Sequence, residues 1–308
     1  MKAIGIILAG GNNNRMKELT AKRAVPALPV AGSFRSIDFA LSSMSNSHIQ
    51  TVAVLTQYNA RSLNEHLSSS KWWNFGRKQG GLFLFTPTVT ADNSDWYRGT
   101  ADAMYQNIDF LKRRHEPYVI ISSGDCVYKL DFNRVLDFHI EKKSDITVVC
   151  KDMMYNDDVS RFGVVRMDDE SRITEFDEKP IEALSNTIST GIYVIRRRQL
   201  IELLEAAAEE NRFDFVNDIL VRYKNVKKIY GYKINSYWNN IADIDAYFKT
   251  NMDFLRPDVR SYFFREEPTI CSKVDDLPPA KFNPGSDISN SLVSVSYTHL
   301  RAHETDQY

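Results

Sequence analysis

Short apolar runs rich in β-branched residues alternate with longer amphipathic segments along this chain, and that alternation limits the fold more than any other feature. The runs have the length of strands, and the segments between them have the length of helices. The predicted strands are AIGIILA (3–9), TVAVLT (51–56), YVIISSG (118–124), DITVVC (145–150) and TGIYVI (190–195). The predicted helices begin near Ser36, Ala60, Thr100 and Asp131. Strands joined by crossover helices form a mostly parallel sheet, so the sequence predicts an α/β fold.

The helical segment that begins at Thr100 predicts which of its faces is buried. Its apolar side chains crowd one side of a helical wheel: Ala103, Tyr105, Ile108, Phe110 and Leu111. Its polar side chains, among them Asp102 and Asn107, lie elsewhere on the wheel. We interpret the stripe as core packing and not as a cofactor site.

The period of the pattern changes between residues 162 and 180. FGVVRMDDESRITEFDEKP reads as two alternating strands joined by the polar turn DDES, which predicts a hairpin inserted into the α/β pattern. Periodicity is lost after Leu255 and DDLPPAKFNPGSD is a proline-rich connector. We therefore place the first domain at 1–255, and a linker with the start of a truncated second domain at 256–295. The stretch 296–308 continues no earlier pattern, and we interpret it as a non-native tail.

Charge and cysteine content narrow the class of protein. The 39 lysine and arginine residues nearly balance the 40 aspartate and glutamate residues, so nothing predicts nucleic-acid binding, and an anionic ligand must be held by a local cluster. The three cysteines lack metal-ligand or redox-motif spacing, which is typical of a reducing compartment. No apolar stretch approaches the roughly 18 residues of a membrane helix, and the first residues do not form a signal peptide. We expect a cytoplasmic protein that does not bind membranes.

The first strand leads directly into a glycine pair. Arg15 follows Gly10 and Gly11 closely in the sequence. Glycines let backbone N–H groups approach phosphate oxygens and a guanidinium supplies positive charge, so this spacing suits a nucleotide phosphate site. It is neither a dinucleotide fingerprint nor a Walker loop, because G-x-G-x-x-G and a following G-K-[ST] are missing. Taken alone, an ordinary tight turn explains the glycine pair better.

Further candidate ligands follow along the chain. Lys22, Arg23 and Arg35 lie on predicted loop and helix-start positions, where they form either an anion pocket or a solvated face. The segment WYRGTADA opens a helix with an Arg-Gly-Thr turn, whose N–H groups suit a base or a phosphate. Asp125 follows a buried strand, at the edge where parallel sheets bind ligands, so its carboxylate is a natural Mg²⁺ ligand.

Ordered motifs connect these features to one known family. LAGG...R, KRAVPA, FRSIDFALS, TQYN, WYRGTADA, SGDCVYK, FDEKP, STGIYV and LPPAKF occur in this order between residue 1 and about residue 295. Together they resemble the bacterial glucose-1-phosphate adenylyltransferases, the ADP-glucose pyrophosphorylases of glycogen synthesis. The resemblance implies a nucleotide-diphospho-sugar transferase domain of dinucleotide-binding-like fold and a tetramer. It also implies a carboxyl-terminal left-handed β-helix, which we expect to be almost wholly missing from this chain.

The resemblance further implies roles for individual residues. The nucleotide would contact Leu8, Gly10, Gly11, Arg15, Trp96, Tyr97, Arg98, Gly99 and Thr100. The sugar phosphate would contact Glu178, Lys179, Ser189 and Gly191, with Lys179 on the phosphate. Asp125 would bind Mg²⁺ and would carry the catalysis together with Arg15. In such a site the sugar phosphate attacks the α-phosphorus of ATP, so positioning and charge neutralisation supply the rate enhancement.

The chain departs from the catalytic members of that family at several positions around the reaction centre: Asn13, Asn14, Val25, Cys126, Asn239 and Asn240. The asparagines in the first loop replace a glycine and a small hydroxyl residue, and their side chains would crowd the phosphate oxygens. Val25 replaces a lysine expected near the leaving pyrophosphate. Asn240 replaces the second metal-binding aspartate, and an amide oxygen is a weaker Mg²⁺ ligand than a carboxylate. We therefore expect a weakened metal site at Asp125 and Asn240.

These departures leave three hypotheses. The first is a regulatory, catalytically impaired subunit, similar to the non-catalytic D-type subunit, which pairs with a catalytic subunit and binds ATP and glucose 1-phosphate or related ligands. The second is an active adenylyltransferase in which Asp125 alone anchors Mg²⁺. The third is a sensor of sugar phosphates or nucleotides with no role in synthesis. We favour the first, because the changes touch the phosphate loop and the metal while the core and sugar-side motifs remain.

Overall fold

The structure is a computed structural model that describes residues 2–11, 14–76, 80–88, 96–154, 157–274 and 282–293. Three of the sequence predictions fall wholly or partly outside these residues: the crowding by Asn13, the first part (275–281) of the proline-rich connector and the tail at 296–308.

One nine-stranded sheet forms the centre of the molecule. Its strands are β1 (Ala3–Ala9), β4 (Thr51–Thr56), β5 (Gly81–Phe85), β6 (Tyr118–Ser123), β8 (Ile146–Asp152), β9 (Gly163–Met167), β10 (Ile173–Glu178), β11 (Thr187–Arg196) and β12 (Ile229–Lys233). Two small antiparallel pairs are separate from it: β2 (Pro29–Val30) with β3 (Phe34–Arg35), and β7 (Cys126–Tyr128) with β13 (Trp238–Asn240).

The helices are α1 (Ser36–Asn46), α2 (Arg61–His66), α3 (Thr100–Gln106), α4 (Ile108–Lys112), α5 (Phe132–Glu141), α6 (Arg197–Glu209), α7 (Ile244–Asp253) and α8 (Pro257–Phe264). Shorter helical turns cover Asn14–Thr20, Val25–Ala27, Ser70–Trp73 and Val216–Val221. None of the helices in the described part of the chain is long and apolar enough to cross a membrane.

The order of the strands creates a ligand-binding edge. Strands β6, β1, β4 and β5 are neighbours in that order and run parallel. The chain places β4 and β5 on one side of β1 and then returns to place β6 on the other side, which makes the carboxyl ends of β1 and β6 a topological switch point. Antiparallel β11 extends the sheet toward β8 and β9. The sheet is thus mixed with a parallel centre, which confirms the predicted α/β class, and β9 with β10 forms the predicted hairpin.

Side chains of β1 alternate between two cores. Ile7 packs in the cluster that contains residues of α1 and α5, whereas Ile4 and Ile6 pack in the cluster that contains residues of α3 and α6. A third cluster joins Phe39 of α1 to Phe263 of α8, with ring centroids 5.3 Å apart. Helix α8 therefore packs on the first domain although the sequence after Leu255 shows no periodic pattern.

The helix predicted from Thr100 is divided in two, and this corrects the predicted stripe. Asn107 separates α3 from α4, and its side-chain amide donates to the carbonyl of Ala103 at 2.9 Å, a local bond that competes with helix continuation. Tyr105, predicted to be in the core, is 38% exposed, whereas Asp102, predicted on the polar side, is 3% exposed. The break changes which face of the first turns meets the sheet.

Helix α1 connects the carboxyl edge of the sheet with the chain that follows α8. At its start, the Ser36 hydroxyl donates to the carbonyl of Gly124 at 2.8 Å. Farther along, the Ser42 hydroxyl donates to the carbonyl of Cys271 at 3.1 Å and accepts from its N–H at 2.9 Å. The start and the middle of the helix are thus bonded to segments distant in sequence.

Candidate active site

Two cavities meet at the carboxyl ends of β1, β4 and β6. The glycine cavity, about 520 Å³, lies between the loop after β1 and the start of α3. The hairpin cavity, about 360 Å³, lies between the turn after β6 and the hairpin of β9 and β10. Ser123 and Asp125 line both of them. The predicted metal ligand Asp125 therefore stands at the boundary between the two cavities.

Most of the residues predicted for the nucleotide line the glycine cavity: Leu8, Gly10, Gly11, Tyr97, Arg98, Gly99 and Thr100. Trp96 is not among the lining residues. It is 58% exposed and stacks on Tyr58, which does line the cavity, with ring centroids 5.3 Å apart. Arg15 lines the hairpin cavity, so its side chain lies with the residues predicted for the sugar phosphate.

Side-chain hydrogen bonds hold the backbone of the segment 96–100 against the glycine cavity. The N–H of Tyr97 donates to Oε1 of Gln57 at 2.7 Å, and the N–H of Arg98 donates to the buried carboxylate of Asp102 at 2.8 Å. Gln106 donates to the same Asp102 oxygen at 2.9 Å. These neutral and charged acceptors fix the entry into α3, so the N–H groups of its first turn keep one orientation.

Gly99 permits the close contact that completes this wall. A Cβ atom at this position would lie 2.3 Å from the carbonyl oxygen of Phe213, which also accepts from the N–H of Ala101 at 2.8 Å. The guanidinium of Arg98 lies over the Phe213 ring, 3.8 Å from its centroid. Burial raises the pKa of Tyr97, whose hydroxyl accepts from Asn107 at 2.9 Å, so this side chain stays neutral. The wall is therefore built from backbone contacts and neutral or paired side chains.

The hairpin cavity brings together residues that are far apart in the sequence: Arg15, Asp125, Glu178, Lys179, Ser189, Gly191 and Asn240. All residues predicted for the sugar phosphate and for the metal are in this set. Lys179 is 61% exposed at its side chain, and its ammonium lies 3.0 Å from a carboxylate oxygen of Glu178. A cation and a carboxylate at one edge of the cavity can bind a phosphate and a sugar hydroxyl.

A local irregularity in β11 shapes the sugar side of this cavity. Pairing between β11 and β8 shifts register between Ser189 and Tyr193, and Gly191 within this stretch has φ 75°. Glycine adopts this left-handed conformation without steric cost. The Ser189 hydroxyl donates to the hydroxyl of Tyr193 at 3.2 Å, and burial raises the pKa of Tyr193, which therefore remains a neutral phenol.

The predicted metal ligands are already engaged in hydrogen bonds. An Asp125 carboxylate oxygen accepts from the Ser123 hydroxyl at 2.5 Å. Asn240 accepts from the N–H of Ala242 at 2.9 Å through Oδ1, and its Nδ2 donates to the sulfur of Cys126 at 3.5 Å. In the described ranges, no group of three or more histidine, cysteine, aspartate or glutamate side chains is placed to hold a metal ion.

Cys126 does not replace the missing carboxylate. Burial strongly raises the pKa of its thiol, and the neighbouring charge of Asp125 raises it further. A protonated thiol is a poor metal ligand. The residues present therefore fit a two-carboxylate Mg²⁺ site poorly, because Asp125 is the one carboxylate among the predicted ligands.

Three cationic residues lie near Val25 in the sequence, but their side chains line neither of the two cavities. Val25 is 4% exposed, lines the glycine cavity and packs in the cluster that contains Phe39. Neither cavity has Lys22, Arg23 or Arg35 among its lining residues, and Arg35 donates to the carbonyl of Ala27 at 3.1 Å. Arg23 instead lines a small cavity that adjoins the glycine cavity and shares Gly11, Val25 and Tyr58 with it.

Three residues of the site were missed by the sequence analysis. Gln57 and Asp102 orient the segment 96–100, and Arg161 lines the hairpin cavity. The spacing of Asp102, four residues after Arg98, is a usable signal for a side chain that reaches back to a helix start. Arg161 precedes the hairpin, where a single arginine gives no signal of its own.

The switch-point edge, the glycine loop and the paired cavities are features of enzymes that bind nucleotides and transfer them. In agreement, the family model described as nucleotidyl transferase matches residues 4–256. The class of the protein is therefore nucleotidyl transferase.

Individual relatives define the family within this class. The glucose-1-phosphate adenylyltransferase of Clostridium novyi is 38% identical over 293 residues, which cover 94% of this chain and 76% of that protein. The enzyme of the same name from Clostridium acetobutylicum is 39% identical over 293 residues, 94% of this chain and 77% of that protein. The one from Pseudothermotoga lettingae is 38% identical over 296 residues, 95% and 70% of the two chains. The chain belongs to the glucose-1-phosphate adenylyltransferase family.

Proposed function

We propose that this chain is a regulatory subunit of glucose-1-phosphate adenylyltransferase with impaired turnover. It acts in a hetero-oligomer with a catalytic subunit and retains binding of ATP and glucose 1-phosphate. The reaction of the oligomer joins the two substrates to give ADP-glucose and pyrophosphate. The observation that carries the proposal is the bonding of Asn240, whose amide is committed on both sides where a catalytic site needs a free carboxylate.

The chemistry explains why this position matters. The phosphate of the sugar attacks the α-phosphorus of ATP, and negative charge shifts to the leaving pyrophosphate. Positioned cations and metal ligands stabilise that charge, and they act strongly because the site excludes water. Asn240 brings no charge, and Val25 places an apolar side chain at the glycine cavity. Two sources of stabilisation are thus lost together.

Ligand binding has better support than turnover. The glycine cavity keeps its backbone geometry through Gln57, Asp102 and Gly99, and none of these contacts requires a metal. The hairpin cavity keeps Lys179 and Glu178. A site that binds both ligands without efficient transfer suits a subunit that senses substrates for its partner.

The direct test is pyrophosphate release from ATP and glucose 1-phosphate by the chain alone, by a catalytic subunit alone and by their mixture. We expect no turnover by the chain alone and a higher rate or affinity in the mixture. Turnover by the chain alone at ordinary Mg²⁺ concentrations would support the active enzyme with Asp125 as sole metal anchor. Ligand binding without any effect on the partner would support the sensor.

A double variant designed to restore turnover tests whether the changes at these two positions are the reason for the impairment. Val25→Lys combined with Asn240→Asp should raise turnover of the chain at least about 10-fold above its background, because each change restores charge stabilisation of the kind that is typically worth more than that. Val25→Met combined with Asn240→Gln is the matched control, since it alters the same two side chains without adding charge. No gain in a folded double variant that binds ATP would contradict the lost-site account.

A further inference from the structure

Arg161 is a cation of the hairpin cavity to which the family resemblance assigned no role. It lies just before β9, its side chain is 28% exposed, and it lines the cavity together with Lys179 and Arg15. It also lines an adjoining cavity of about 940 Å³, which shares Arg15 and Asn240 with the hairpin cavity. Arg161 therefore stands where the two spaces join.

The guanidinium of Arg161 is held from two sides. It contacts the carboxylate of Asp243, which also caps α7 by accepting from the N–H of Ala246 at 2.8 Å. It lies over the ring of Phe162, 5.1 Å from the centroid. A planar guanidinium fixed in this way presents its remaining N–H groups in one orientation, which suits binding of a phosphoryl group.

The electrostatics of the cavity also favour an anion. Burial lowers the pKa of Arg161, the charges of Asp158 and Asp245 raise it, and the positive charge of Arg15 lowers it. Arg15, Arg161 and Lys179 bring three positive charges to the hairpin cavity, against the two negative charges of Asp125 and Glu178. A phosphoryl dianion is attracted by this excess of positive charge.

The bonding of Asn240 makes such a cation more important. Because Asn240 has no charge with which to hold a metal ion, cationic side chains of the protein must neutralise the charge of a bound phosphoryl group. Glu178 and Asp125 line the same cavity and are negative, so they cannot supply it. Of the described lining residues, Arg15, Arg161 and Lys179 carry the positive charge.

We propose that Arg161 binds the phosphoryl group of glucose 1-phosphate in the hairpin cavity, together with Lys179 and Arg15, which line the same cavity, and that this binding needs no divalent metal. The inference rests on the proposed function, because it requires that the chain retains sugar-phosphate binding. Asp243 acts as a positioning residue that holds the Arg161 guanidinium toward the cavity.

The test is titration calorimetry of glucose 1-phosphate into the full chain in the presence of a chelator, without ATP. Arg161→Gln should weaken binding about 10-fold, the size expected for the loss of a charge-assisted contact to phosphate. Arg161→Lys should lose less, because it keeps the charge but not the planar fork. Arg166→Gln is the matched control, since Arg166 lies on the same hairpin but pairs with Glu175 away from the cavity.

Inorganic phosphate and glucose as competing probes locate the effect on the ligand. Phosphate should displace glucose 1-phosphate from the unmodified chain and should bind more weakly to Arg161→Gln, whereas weak binding of glucose should be the same in both. Asp243→Asn gives a second variant in which Arg161 is present but less well positioned, and it should weaken glucose 1-phosphate binding in the same direction. Thermal melting establishes that each variant is folded.

The inference is overturned if Arg161→Gln binds glucose 1-phosphate as tightly as the unmodified chain, if Arg166→Gln loses as much, or if the unmodified chain binds none without metal. These results are separable from those on the proposed function. A chain that stimulates a catalytic partner but binds sugar phosphate independently of Arg161 refutes this inference alone. A chain that binds through Arg161 yet turns over by itself refutes the proposed function alone.

Discussion

The two cavities of this site are built by different means. The wall of the glycine cavity depends on backbone contacts, such as the approach of Gly99 to the Phe213 carbonyl, and on acceptors that hold N–H groups. The hairpin cavity depends on charged side chains that pair with one another, such as Lys179 with Glu178. A cavity built from backbone contacts loses ligand binding when its geometry changes. A cavity built from charged side chains can lose the binding of a ligand or a metal ion while its geometry stays the same.

Asn240 illustrates the second case. Its amide bonds to Ala242 and Cys126 and so helps to keep β13 paired with β7. An amide has nearly the size of a carboxylate but not its charge, so an asparagine can keep the packing of a position without offering a charged metal ligand. In the proposed function, this chain keeps its fold and its ligand binding in this way while it loses turnover.

The largest effect should come from closing the contact at Gly99. Gly99→Ala should weaken ATP binding about 100-fold, because the added methyl group forces the Phe213 backbone and the segment 96–100 apart, and overpacking of this kind costs up to about 3 kcal/mol. Equilibrium binding of ATP to the chain measures it. Gly231→Ala is the control, since a Cβ atom there would lie 2.1 Å from the sulfur of Met167, a similarly close contact at a residue that lines neither cavity. Equal losses in the two variants would show that the contact at the wall of the glycine cavity is not what matters.

A smaller effect, on stability, is expected at Asp102, whose carboxylate accepts the hydrogen bonds that hold the wall of the glycine cavity. Asp102→Ala should lower the free energy of unfolding by about 2 kcal/mol, because it leaves buried donors of Arg98 and Gln106 without their acceptor. Urea unfolding measures the change. Asp109→Ala, which removes a 75% exposed carboxylate on α4, should leave stability nearly unchanged. If both variants unfold at the same urea concentration, the wall does not depend on Asp102.

The smallest of the three effects should appear in the cavity built from charges. Lys179→Gln should weaken glucose 1-phosphate binding about 10-fold through the loss of one charge-assisted contact, with no change in urea unfolding. Lys112→Gln is its control, because Lys112 is similarly exposed and paired, with Glu205 at 2.6 Å, but remote from both cavities. A loss of stability in Lys179→Gln would remove the distinction between the two walls.

Sequence periodicity was sufficient for β1, β4 and β6 of the parallel centre and for the hairpin, because strands buried on both faces and alternating strands each have a clear pattern. It did not predict β5, the outer strand of that centre. Periodicity was insufficient around Asn107, where a hydrogen bond from one side chain to the Ala103 carbonyl divides the predicted helix. It also did not predict that Asp102 is buried, where it accepts a hydrogen bond from the N–H of Arg98. Helix α8 also escaped it, since only Val259 and Phe263 of this short helix are buried.

Motifs identified most of the site because its residues occur in contiguous segments such as WYRGT and FDEKP. Arg161 belongs to no such segment, and its position in the hairpin cavity depends on the pairing of β9 with distant strands. The sequence could also name Asn240 as an altered ligand, but not that both ends of its amide are bonded. The pattern of a single sequence does not reveal contacts between residues that are distant from each other in the chain.

Helix α1 gives the site a mechanical connection to the rest of the chain. Ser36 is bonded to the turn that carries Asp125 and Ser42 to the backbone of Cys271, and the two residues lie about 9 Å apart along the helix axis. A helix buried in close-packed surroundings moves as one body. A displacement of the backbone around Cys271 is therefore transmitted by α1 to the turn that carries Asp125, at the boundary of the two cavities. No flexible loop lies between the two hydrogen-bonded positions.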